Sequence, residues 1–162
     1  MKTRRIAMVL LGLALCMMWL PFAGAAEAHG EAETEGKESA AKIPDTVGGI
    51  WHEVKEHEAE LAKIIADKKL DHVHDIAYEI RDFINALPDK SGDLPAEKLA
   101  RVKANAKYVA ILAKRLDESG DAGDQAATEA NFKKFQGFLK AIGAQYPPAA
   151  LKYVEKEKDE RK

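Results

Sequence analysis

Five histidines, His29, His52, His57, His72 and His74, are the side chains here whose type and setting could do chemistry, and all stand among acidic residues. Neutral imidazole beside carboxylate is a donor set for zinc, copper(II) or nickel. The run H-E-V-K-E-H at 52–57 looks like the zinc-protease motif H-E-x-x-H but is one residue too long. Histidines five apart on a helix point about 140° apart and cannot clasp one ion. His57 falls on an apolar seam, so it is either a hydrogen-bonded core histidine or a ligand. A hairpin turning near residue 69 sets it level with Ala77 and Arg81, and level with Asn105 and Tyr108 on a third helix, the last two its expected partners. His72 and His74 open a second helix about 200° apart, so joint chelation requires an unwound first turn. The helix dipole there favours neutral imidazole. Asp67, Asp71, Asp117, Asp121 and Asp124 collect at the same end of an up-down bundle. The alternatives for this pair are a mixed histidine–carboxylate metal site or two solvated helix-start residues. His57 and His72 lie about 13 Å apart in level, too far to share an ion.

His29 offers a different geometry. Cleavage after Ala26 leaves Glu27-Ala28-His29 at the new N-terminus, where amine, two amides and imidazole form a square-planar copper(II) or nickel(II) chelate. Cleavage after Ala25 moves the histidine to fourth place and weakens that chelate.

Export is the reason to expect cleavage. Lys2, Arg4 and Arg5 precede an apolar run from Ile6 to Leu20, and small residues close the segment at Ala23–Ala26. This is the order of a secretory signal peptide, and the run is shorter than the roughly 20 residues a permanent membrane anchor needs. The single cysteine, Cys16, and the four methionines, Met1, Met8, Met17 and Met18, all lie inside it. The processed chain is thus expected to be periplasmic, without disulfides, thiolate sites or methionine-lined copper(I) sites. Removing Lys2, Arg4 and Arg5 leaves 22 basic and 27 acidic residues, a net charge of −5 that disfavours nucleic acid as a partner. The acidic run at 117–124 fails as an EF-hand loop, with Ala122 and Thr128 where glycine and glutamate belong. The third and fourth helices lack histidine and methionine and there is no C-x-x-C-H, so no haem is expected. No nucleophile–base pair or glycine-rich phosphate loop is evident, and the expectation is a protein that is not an enzyme.

The elements that must position these residues follow from apolar spacing. The expected organisation is a signal peptide at 1–25, a disordered acidic leader at 26–44, a four-helix bundle at 45–147 and a charged tail at 148–162. Helix 1, about Thr46 to Lys68, carries the seam Val47, Ile50, Val54, His57, Leu61 and Ile64. Helix 2, from Asp71 as N-cap to Leu87, carries Val73, Ile76, Ile80, Phe83 and Leu87. Helix 3 opens at Pro95 and runs to about Glu118; helix 4 spans about Asp124 to Gln145 with Phe132, Phe135, Leu139, Ile142 and Tyr146 inward. Four amphipathic helices with short connections predict an all-α, antiparallel up-down-up-down bundle.

The stretches LDHVHDIAYEIRDFINALP, KLARVKANAKYVAILAKRLDESGDAGD and ANFKKFQGFL resemble a set of small, poorly characterised bacterial periplasmic four-helix-bundle proteins associated with heavy-metal efflux and copper-resistance neighbourhoods. The resemblance covers roughly residues 45–146, and its matching positions are His57, His72, His74, Arg81 and Asp82. It implies a metal-binding or accessory role in copper, zinc or nickel homeostasis and an efflux or envelope protein as partner. The alternative is a structural adaptor bundle with incidental histidines.

Overall fold

The computed structural model describes residues 42–153, and the expected signal peptide, most of the expected leader with His29, and the end of the tail lie outside them. Among the described residues the chain is all-helical, with four α-helices and no strand: α1 Val47–Ala66, α2 Val73–Ala86, α3 Ala96–Asp121 and α4 Gln125–Gly143. Short 3-10 turns at Leu70–His72 and Leu87–Lys90 flank α2.

α1 begins where the Thr46 hydroxyl accepts from Gly49 N–H at 3.0 Å, a side-chain cap on an otherwise orphaned donor. It buries Ile50, Val54, Leu61 and Ile65 at helical spacing. It ends with Lys68 in the left-handed region at φ 60°, where Lys68 N–H donates to Ile65 O and Lys69 N–H to Ile64 O. That paired closure is a Schellman turn, in which glycine is the favoured residue. α3 ends the same way with glycine in place: Gly123 has φ 65°, and its N–H donates to Gly120 O at 2.9 Å. Asp124 then caps α4 by accepting from Ala127 N–H.

α2 departs from expectation at its start. No side chain caps it, so Asp71 is not its N-cap; Asp71 belongs to the 3-10 turn that delivers the chain to Val73. α3 also runs three residues past Glu118, so part of the expected S-G-D-A-G-D turn is helix.

One continuous core runs through the bundle. Its largest fully buried side chains include Phe135, Ile50, Leu61, Ile80, Leu116 and Leu139. Each helix packs on the next, and Gln125, Gln136 and Gly143 of α4 meet Ile65, Glu58 and Trp51 of α1 in turn. At Gly143 a Cβ would lie 2.6 Å from the Trp51 ring, so the indole occupies the space that any side chain would need. At the same end the Ser91 hydroxyl donates to Leu87 O and meets the Tyr146 hydroxyl at 2.8 Å; burial pushes the Tyr146 phenol up from its usual pKa. The first residues of the tail pack back on α1, with Lys152 O against Gly48 and the Tyr153 ring stacked 4.5 Å from His52.

Candidate metal centre

His74 lies in the first turn of α2, and Asp117 and Asp121 lie one turn apart at the end of α3. The three side chains converge, with one ligand atom from each lying within 4.8 Å of the others. Three causes bring them together. Val73, Ala77 and Ile80 bury one face of α2 against the core, as Leu112, Ala113 and Leu116 do for α3, which sets their relative azimuth. The i, i+4 pair Asp117 and Asp121 then presents both carboxylates along one side of α3. Gly120 lets the entrance to α2 come close, because a Cβ there would stand 2.9 Å from Leu70 O.

Neighbours hold these groups. Tyr78, one turn after His74, donates its hydroxyl to Asp117 Oδ2 at 2.7 Å. Burial, together with that hydrogen bond to a carboxylate, pushes the Tyr78 phenol up to about 12, so it remains a donor through neutral and moderately alkaline pH. The Arg81 guanidinium lies 4.5 Å over the Tyr78 ring and fixes its face. His74 Nε2 stands 2.8 Å from Asp75 Oδ1. A carboxylate on one ring nitrogen orients an imidazole and leaves the other nitrogen for a cation. His74 and Asp117 are half-buried and Asp121 is exposed. One imidazole and two carboxylates balance a divalent cation, and bonds of about 2.0–2.2 Å require the donors to close by roughly an ångström. The exposed Asp121 side chain is free to supply that movement.

The other expected residues fall elsewhere. His72 is exposed, 3.4 Å from Asp71, and lines an open groove between α1 and α2 together with Lys63, Asp67 and Lys69. Lys63 donates to Asp67 at 3.0 Å and holds its carboxyl below the usual range, so the acid that closes α1 is already paired and two ammonium groups, Lys63 and Lys69, stand by. His72 and His74 thus serve different grooves.

His57 sits at the level expected of it but not with the partners expected. Its Nδ1 faces Glu53 O at 2.8 Å, its Nε2 faces Glu79 Oε2 at 2.8 Å, and its ring meets Phe83 edge-on. Glu79 lies midway between Ala77 and Arg81 on α2. Asn105 and Tyr108 are not its partners; Tyr108 instead stacks on Phe138. Arg81 and Asp82 pair with each other within α2 at 2.7 Å, and among the described residues neither forms an ion pair with a second helix. Sequence reasoning placed Asp117 and Asp121 at the right end of the bundle among three other aspartates, and missed Tyr78 altogether. The signal present in the sequence was the matched spacing of His74/Tyr78 and Asp117/Asp121, two i, i+4 pairs on consecutive helices.

No family model, curated protein or solved structure matches this chain. The site's own chemistry therefore carries the functional argument.

Proposed function

We propose that this chain is an exported, non-enzymatic helical bundle that binds a divalent transition cation at His74, Asp117 and Asp121, as an accessory protein of zinc, copper or nickel homeostasis in the periplasm. The observation that carries the reading is the convergence of those three side chains, with Tyr78 and Asp75 orienting the carboxylate and the imidazole. Nitrogen–oxygen donors suit zinc, nickel and copper(II), and a water completes the coordination. The cationic, apolar and small-residue order of the first 25 residues supports export. Among the described residues no helix is long and apolar enough to cross a membrane. An antiparallel up-down-up-down path is supported by the α1–α4 pairs, whose positions fall along α1 as they rise along α4.

Calorimetry of the tag-free processed chain with zinc tests the proposal. One equivalent is expected to bind and raise the melting temperature. His74→Ala should remove the binding and His72→Ala should leave it. Absence of heat with zinc, nickel and copper(II), with no change in melting temperature, would reject the site.

A further inference from the structure

The two halves of the bundle carry opposite charge. α1 and α2 hold seven acidic and three basic residues, whereas α3 and α4 hold nine basic and five acidic. Compensation differs as well. Lys55, Lys63 and Arg81 on α1 and α2 each pair with a neighbouring carboxylate. Among the described residues, Lys107, Arg115, Lys133 and Lys134 on α3 and α4 have no carboxylate within 4.0 Å. The same face carries the large exposed hydrophobics of the helices, Tyr108 at 52 % and Ile111 at 49 % exposure. Spacing interleaves the two properties: Lys107, Ile111 and Arg115 follow at i, i+4 and i+8 on α3, and Lys134 and Phe138 at i, i+4 on α4.

We propose that the outer face of α3 and α4 docks on an anionic lipid surface, with Tyr108 and Ile111 entering the headgroup layer and the four cations meeting lipid phosphates. A partner helix would seat in the groove between α3 and α4. That groove is filled: the Tyr108 and Phe138 rings stack across it at 4.9 Å, nearly parallel at 13°. Beside it Gly137 is exposed and adds no side chain, so that stretch of α4 raises no ridge for a partner helix to grip. An exposed apolar band edged by uncompensated cations suits a bilayer interface. The acidic α1–α2 half fixes the orientation, because an anionic surface repels it.

Co-sedimentation with phosphatidylglycerol-rich vesicles, against pure phosphatidylcholine vesicles, tests the proposal. The processed chain from Ala26 is used so that the apolar run at 6–20 cannot itself enter the bilayer; it keeps every core residue found among the described residues, Ile50 to Tyr146. Binding is expected to the anionic vesicles alone and to vanish at high salt. Each cation contributes about fivefold, so Lys107→Glu with Lys134→Glu should weaken partitioning by about 25-fold or more. Ile111→Ser should weaken it several-fold, whereas Lys55→Glu with Lys63→Glu should not weaken it. All the substituted positions are exposed, and unchanged circular-dichroism melting confirms folding. The proposal is overturned if anionic vesicles fail to sediment the chain, if the Lys107/Lys134 variant binds undiminished, or if the Lys55/Lys63 variant loses as much. Sedimentation velocity showing a dimer that Ile111→Ser dissociates would also overturn it, assigning the face to a second copy.

Discussion

His57 and His74 each hold a carboxylate oxygen 2.8 Å from Nε2, yet they are different devices. His57 is engaged on every side: Glu53 O takes one nitrogen, Glu79 of the next helix faces the other, and Phe83 covers the ring edge. The His57 ring thereby bridges a backbone carbonyl of α1 and a side chain of α2. Among the described residues only Nε2 of His74 is held by a protein group, and two further carboxylates face that side chain from α3. The difference teaches that a histidine becomes a ligand candidate through what is left unsatisfied around it. Its place on a seam decides little.

The sharpest break between the two is in metal binding. Replacing Asp117 and Asp121 together by alanine should lower zinc affinity by more than about a hundredfold, while His57→Ala leaves the calorimetric isotherm unchanged. Stability reverses the ranking. His57→Ala is expected to cost about 1–3 kcal/mol by urea denaturation, because Glu79 loses its partner in a half-buried site. His74→Ala without metal should stay within about 0.5 kcal/mol. Tyr78→Phe sharpens the comparison further by removing the donor on Asp117, with zinc affinity expected to fall about tenfold and the fold retained. The phenol's pKa is raised on folding, so its contribution is complete below the ordinary value of 10.0 and is lost as pH rises towards about 12. Alkaline titration of stability should show that loss in the parent and not in Tyr78→Phe. A small stabilisation lies in the turn between α1 and α2: Lys68→Gly relieves a left-handed residue and should stabilise by about 0.5–1 kcal/mol, read as a rise in urea midpoint.

Periodicity made most of the fold readable. Phe132, Phe135, Leu139, Ile142 and Tyr146 are all buried, as their three- and four-residue steps require. Level was readable too, since counting from the hairpin turn brought His57 to within two residues of its partner. Azimuth between helices was not readable, because it depends on packing contributed by both. That is why Glu79 was missed between Ala77 and Arg81, and why two aspartates could not be chosen from five. Gly120 shows the same limit: in the sequence it belongs to a glycine-bearing turn, and in the fold it is a helical position that lets Leu70 O approach. The tail contact of Tyr153 on His52 has no periodic signal at all.

The Trp51 indole against Gly143 has a practical consequence. The sequence has two tryptophans, and the other, Trp19, lies in the segment that export would remove. Trp51 then becomes the sole indole fluorophore, about 20 Å along α1 from the end that faces the His74 cluster. Its emission reports the α1–α4 junction, so a diamagnetic ion such as zinc bound at the far end should leave the spectrum in place. A wavelength shift on zinc addition would therefore be an optical sign that the ion has settled somewhere else, or that the two ends of the bundle move together.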